Sequence, residues 1–276
     1  AFGDIGGKGF LCGATAGRTT LNGEGLQHED GHSLLLASSV PNLAAYDTAF
    51  AYELGVIVED GLRRMYGPDP EDVFYYLTLY NENYVMPPMP EGAEEGIRRG
   101  LYRFAPAPEG PSRPASVVFS GTAQAAAREA QQVLAADHDV AVDLWSATSY
   151  KALREDALSV ERWNRLHPTD TARTPYVTEA LSQSDGPVVA VTDFMKAVPD
   201  QVSRWVPRTY VSLGTDGYGR SDTRANLRRH FETDTAHVVV AVLAALASTE
   251  DAKPQEVADA IGRYGLDPEA ADPRTA

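Results

Sequence analysis

Only one cysteine, Cys12, occurs in 276 residues, so no disulfide can form within the chain. That scarcity fits a reducing compartment. Long apolar runs are also lacking. The longest, Val238 to Ala247, is about half of what a bilayer span requires. Basic charge is in short supply: 24 Lys and Arg against 39 Asp and Glu leave a net charge of −15. Such a surface repels phosphate backbones and anionic lipid, which argues against a nucleic-acid or membrane partner. No basic-then-apolar leader opens the chain. It starts without Met on Ala1-Phe2-Gly3-Asp4, which reads like the middle of a protein. The expectation is a soluble, cytoplasmic fragment or subunit.

What is present has globular proportions, 43% hydrophobic and 23% charged. At ~150 residues per domain the length suggests one large or two modest domains. Residues 8–14 read as a buried strand, with Cys12 as inert packing, and a long glycine-dense loop follows over 15–33. A short strand is expected near 42–46, then a helix over 48–66 capped by Asp47 or Thr48 and stopped by Gly67-Pro68. A strand follows at 73–80. Seven prolines between Pro87 and Pro114 suggest a connector, interrupted by a short helix at 91–99. Beyond it, strands at 116–120, 139–145, 187–192 and 209–213 alternate with helices at 122–136, 148–166, 174–183 and 194–206. Helices at 222–231, 234–248 and 254–264 close the chain. This alternation predicts an α/β fold with a mostly parallel sheet covered by helices.

The densest polar stretch runs from Asn22 to His32 and places five ionisable groups, Glu24, His28, Glu29, Asp30 and His32, on the glycine-rich loop. A loop at the carboxyl end of a sheet strand is where open α/β sheets bind ligands. A histidine among carboxylates can serve as an acid or base. The alternative is a solvated turn. His28-Glu29-Asp30-Gly31-His32 matches H-E-x-x-H, but that zinc signature needs a helix, and Gly31 with Gly23 and Gly25 upstream opposes one. A second loop, Gly214 to Asp222, reads as a strand-to-helix turn with Ser221 or Asp222 as N-cap. Its glycines alternatively admit an anion. Arg224, Arg228 and Arg229 place His230 on a surface helix.

The stretch Gly17-Arg18-Thr19-Thr20-Leu21-Asn22-Gly23-Glu24-Gly25-Leu26-Gln27-His28-Glu29-Asp30-Gly31-His32-Ser33 resembles the homodimeric type of pyruvate dehydrogenase, the decarboxylating first component of the bacterial complex. The likeness continues through Leu79–Tyr84, Met89–Ile97, Glu161–Asn164 and Leu213–Asp222, in order, across nearly the whole chain. The resemblance implies that residues 1–88 are the C-terminal part of a thiamin pyrimidine-binding middle domain. Residues 89–115 would be a Pro-rich linker, and 116–276 a transketolase-like C-terminal domain.

The family's G-D-G metal pattern is absent, and its pyrimidine-activating glutamate would lie before Ala1. Thiamin diphosphate and Mg²⁺ would therefore belong to a full-length parent and not to this piece alone, which contributes no metal ligand and has no assigned cofactor-binding residue. The resemblance further implies pyruvate as substrate and the lipoyl domain of dihydrolipoamide acetyltransferase as acceptor. Missing N-terminal domains and a second subunit would complete a homodimer. His28 matches an active-site histidine, Glu24 lies near the same cavity, and Asp30 resembles a substrate-contacting aspartate of transketolase. The alternatives are a homologue acting on another 2-oxo acid, a transketolase-like carboligase, and a non-catalytic structural or dimerisation module. Exposed apolar surface is expected around residues 1–40, where missing strands would pack.

Overall fold

A computed structural model describes residues 1–276. Three short apolar segments form a first, wholly parallel sheet: β1 (Phe10–Ala14), β2 (Leu43–Asp47) and β3 (Phe74–Leu79), in the order β1-β3-β2. Helix α1 (Ser33–Ala37) precedes β2, and α2 (Ala51–Tyr66) joins β2 to β3. In α2, Glu53, Ile57, Asp60, Gly61 and Met65 are buried, a spacing that lays one stripe on the sheet. Gly61 permits close approach there, because a Cβ at this position would meet the Phe10 ring at 2.8 Å.

Helix α3 (Glu94–Arg99) leads into a second sheet of β4 (Tyr102–Ala105), β5 (Arg113–Phe119), β6 (Val140–Ser146), β7 (Val188–Val191) and β8 (Tyr210–Leu213). The strand order is β4-β6-β5-β7-β8, with β4 antiparallel to β6 and every other pair parallel. Helices α4 (Gln124–His138), α9 (Thr235–Ser248) and α10 (Pro254–Arg263) share one core with this sheet, through residues such as Ala127, Leu134, Val239 and Leu243. Helices α5 (Tyr150–Leu166), α6 (Tyr176–Leu181) and α7 (Ala197–Asp200) belong to a second core, and α8 (Arg224–His230) follows β8. The second core also contains Leu34, Leu43 and Ala45 of the first sheet's elements, so the two sheets bury one another.

The join is polar as well as apolar. Phe50, Tyr52, Phe104 and Phe119 pack ring on ring across it. Beneath them the Glu53 carboxylate, fully buried, accepts the Ala49 and Phe50 amides and the hydroxyls of Tyr102 and Ser146. Glu53, and not Asp47 or Thr48, therefore secures the start of α2; Asp47 turns inward.

The observed architecture is the expected α/β class, with two mostly parallel sheets covered by helices. It differs in four places. The stretch 89–115, expected as a linker interrupted by a short helix at 91–99, holds that helix as α3 but also β4 and the start of β5, with most of its prolines flanking those elements. Pro114 does lie in β5, but β7 pairs with β5 only from Ser116 onward, so no ladder bond is lost on that side. The helix expected over 194–206 is broken into α7 and a 3₁₀ turn at Ser203–Trp205. Thr223, and not Ser221 or Asp222, caps α8, accepting the Asn226 amide. Cys12 is exposed and not packed inside, since β1 is an edge strand, whereas the exposure of Phe2, Ile5, Leu11, Leu26 and Leu36 is the apolar surface expected around residues 1–40.

Candidate active-site loop

The segment between β1 and α1 has two buried feet and an exposed crown. Ala16, Arg18, Thr19, Thr20 and Leu21 are buried, residues 22–28 are largely open to solvent, and Glu29 and Gly31 are buried again. A parallel bridge between Ala16 and Asp30 closes the base. Local chemistry explains the first foot. Gly17 adopts φ +84°, and a Cβ there would sit 2.1 Å from Asp193 Oδ2, so only glycine fits.

The feet are held by the second sheet's loops more than by the first sheet. The Arg18 amide donates to the Asp193 carbonyl at 3.3 Å, and the Thr19 amide to both Asp193 carboxylate oxygens at 3.2 Å. Arg228 Nε donates to Thr19 Oγ1 at 3.2 Å, and Arg224 Nε to the Thr20 carbonyl at 2.7 Å. The Gly23 amide reaches the Asp222 carbonyl at 2.8 Å. At the second foot the Arg220 amide donates to Glu29 Oε2, and the Met195 amide to the Gly31 carbonyl at 3.0 Å.

Glu24 and His28 both ride on the crown. The Glu24 carboxylate accepts only its neighbour's amide, that of Gly25, at 3.1 Å. His28 ends a single 3₁₀ turn, Leu26–His28, and its exposed imidazole has no hydrogen-bond partner. Asp30 is placed differently. Its carboxylate accepts the His32 and Ser33 amides, both at 3.0 Å, and the Ser33 hydroxyl, which ties down the start of α1 from two residues before its N-cap, His32. His32 lies against Arg18 Nη2 at 3.0 Å. Residues 28–32 thus pass from a 3₁₀ turn through an extended residue into α1, and the one-turn helical spacing of a zinc pair is not met.

Under the loop, the carboxyl ends of four strands converge. Asp47 closes β2 and accepts the hydroxyls of Thr78 and Tyr80 from the end of β3, with Ser120 beyond β5 also facing it. Thr192 and Asp193 follow β7. Burial pushes both carboxyls up, Asp193 to about 7, against the opposing pull of Arg228 and of the Thr19 hydrogen bonds. Burial likewise raises the Glu29 carboxyl and lowers the Arg18 guanidinium. Arg18 is 1% exposed, and its Nε and Nη1 have no partner. Sequence reasoning missed these anchoring groups. Arg224 and Arg228, one helical turn apart, were the available signal; they face the loop instead of solvent.

The described cavities at the strand ends are lined by neither Glu24 nor His28. A cleft of about 180 Å³ at the strand ends is lined by Thr48, Phe50, Leu54, Thr78, Tyr80 and Tyr84 among others, and no cluster of three metal-ligating side chains exists.

Comparison with known proteins follows the same division. Residues 1–87 match the family model of the pyruvate dehydrogenase E1 component middle domain, and residues 100–234 that of the transketolase-like C-terminal domain. The chain is similar to the pyruvate dehydrogenase E1 component of Mycobacterium tuberculosis, at 53% identity over 96% of this chain and 29% of the relative. It is similar to that of Escherichia coli at 50% identity over 100% of this chain and 31% of the relative. It therefore spans about three-tenths of the length of these curated relatives. Among solved structures, transketolase from Leishmania mexicana superposes with a TM-score of 0.60 at 16% identity, covering 85% of this chain and 30% of that one, which shows a shared fold.

Proposed function

We propose, from the premise that the chain belongs to the pyruvate dehydrogenase E1 component family, that it works as the C-terminal portion of such an enzyme. The longer protein would decarboxylate pyruvate and pass the acetyl group to the lipoyl group of dihydrolipoamide acetyltransferase. The observation that carries this reading is identity of about one half to E1 components over nearly all of this chain, with His28 of the motif that resembles the family held out on an anchored loop. Thiamin diphosphate and Mg²⁺ would be held by the preceding polypeptide and a second subunit, and would supply the electron sink for decarboxylation.

Within that frame this chain's residues have separable parts. The free imidazole of His28 would hydrogen-bond a substrate oxygen or carry a proton during acyl transfer. Glu24 would face the same cavity, and Asp30 would act chiefly by starting α1. The open edge of β1, with Leu11 and Cys12 exposed beside it, suits a further parallel strand from the missing portion. Its exposed thiol suits a reducing cytoplasm. The same open edge, with His28 lining neither strand-end cavity, favours the second reading for the 276-residue piece alone: a structural module without turnover.

Turnover of pyruvate by the full-length parent with an electron acceptor is the test. His28→Ala is expected to lower kcat by about 10²–10⁴ while changing unfolding free energy by less than ~0.5 kcal/mol, since the ring is exposed and makes no hydrogen bond. A wild-type rate would remove the assigned role. Profiling other 2-oxo acids in the same assay decides the substrate. Calorimetry of the 276-residue chain with thiamin diphosphate and Mg²⁺ should show no heat of binding; micromolar affinity would contradict the division of labour.

A further inference from the structure

Open α/β sheets take their ligands at the carboxyl ends of the strands, where the strand order reverses. In the second sheet the chain runs from β5 to β6 on one side and then crosses to β7 on the other, so the reversal lies between β5 and β7. Ser120, Thr122, Thr192 and Asp193 line it, and helix α4 begins beside it. No room for a ligand is left. The crevice is filled by the chain's own Gly17, Arg18 and Thr19, and the void that remains between Thr19, Thr122, Asp193 and Arg228 is about 10 Å³.

Asp193 makes this docking specific. Its backbone carbonyl takes the Arg18 amide and its carboxylate takes the Thr19 amide, and the same carboxylate accepts the Thr122 hydroxyl at 3.4 Å from the far wall. No other carboxylate of the second sheet's unit accepts an amide of the loop. The partners are 174 residues apart in sequence, so the contact exists only when both sheets are assembled. We infer that Asp193 is a positioning residue for His28: it seats the first foot of the loop in the reversal crevice and so sets where the crown, and the imidazole on it, is held. With that foot released, the crown would pivot on the second foot, at Glu29 and Gly31. The significance of this placement rests on the reading that His28 is the working residue; the placement itself does not.

Amide hydrogen exchange on the 276-residue chain tests the placement without any activity. In the wild type the Thr19 amide is expected to be protected about a hundredfold over those of Asn22 and Gln27 in the crown. Thr19 exchanging as fast as the crown would overturn the inference with no variant needed. In Asp193→Ala, exchange over residues 17–21 should rise about tenfold or more while β5 and β7 stay at wild-type rates. In Asp193→Asn, whose amide oxygen still accepts, it should stay within about threefold of wild type. An unchanged loop in the alanine variant, or an asparagine variant as open as alanine, would refute the role. In the full-length parent, Asp193→Ala should lower kcat with KM little changed, and Asp193→Asn should restore it. Should His28→Ala leave turnover intact while the exchange results hold, the function assigned to His28 fails and the seating stands.

Discussion

Strands β1 and β7 are both short, apolar and parallel to their neighbours, yet all four residues of β7 are completely buried while Leu11 of β1 is 46% exposed. The difference lies in the neighbours and not in the residues. Strand β7 has β5 and β8 beside it and helices over both faces, whereas β1 pairs with β3 alone. Burial of a parallel strand is thus set by the layers around it. An apolar run such as Phe10–Ala14 announces only that a cover is wanted.

Between these two extremes sits the join, and the largest expected effect falls there. Glu53→Ala strands the Ser146 hydroxyl and two buried amides and leaves the Tyr102 hydroxyl with Tyr52 alone, and should cost about 3–5 kcal/mol in urea unfolding. If β1 and β7 belong to one cooperative unit, that loss will appear as one transition shifted whole; two separate transitions would break the comparison into independent domains. Next in size is the contrast itself. Leu144→Ala in β6, 1% exposed, should cost about 2–5 kcal/mol, and Leu11→Ala in β1 less than ~1 kcal/mol. Equal costs would mean that the β1 edge is covered in solution, by a second copy or another chain.

A smaller, pH-dependent effect is expected at Asp193, which faces Arg18, Arg228, Asp47 and Tyr80. Its carboxyl is raised from 3.8 to about 7 in the folded chain. A raised acid stabilises the fold fully below its unfolded value, and that contribution is lost as pH rises through the folded one. The stability advantage of wild type over Asp193→Asn should therefore shrink between about pH 4 and pH 7, measured by urea unfolding across that range. A flat difference would show that the carboxyl ionises there as in water.

Most of the strands and longer helices were legible from period and punctuation. Helix α2 ends at Gly67-Pro68 as its sequence says, and the valine-rich segment at 188–191 reads as an interior strand. The short β4 was hidden among prolines, because a four-residue antiparallel strand has too little pattern of its own and exists only by pairing with β6. At the loop, Glu24 and His28 were visible as a polar cluster on glycines. Asp30 was visible too, but its carboxylate holds the amides that open α1, which depends on a bend that polar spacing does not encode. Asp193 carried no local signal, and Arg18 and Glu29, visible in the same stretch, gave no sign that they would be buried as the loop's anchors.

By itself the sequence determined the class of fold, the glycine-rich loop and the family motif within it, because helix period, strand composition and glycine density are properties of neighbouring residues. Only the tertiary structure decided which side chains seat that loop, which strand edge stands open and which carboxyls are pushed up. Those outcomes depend on groups far apart along the chain being brought together and stripped of water, and no short window of residues contains both partners.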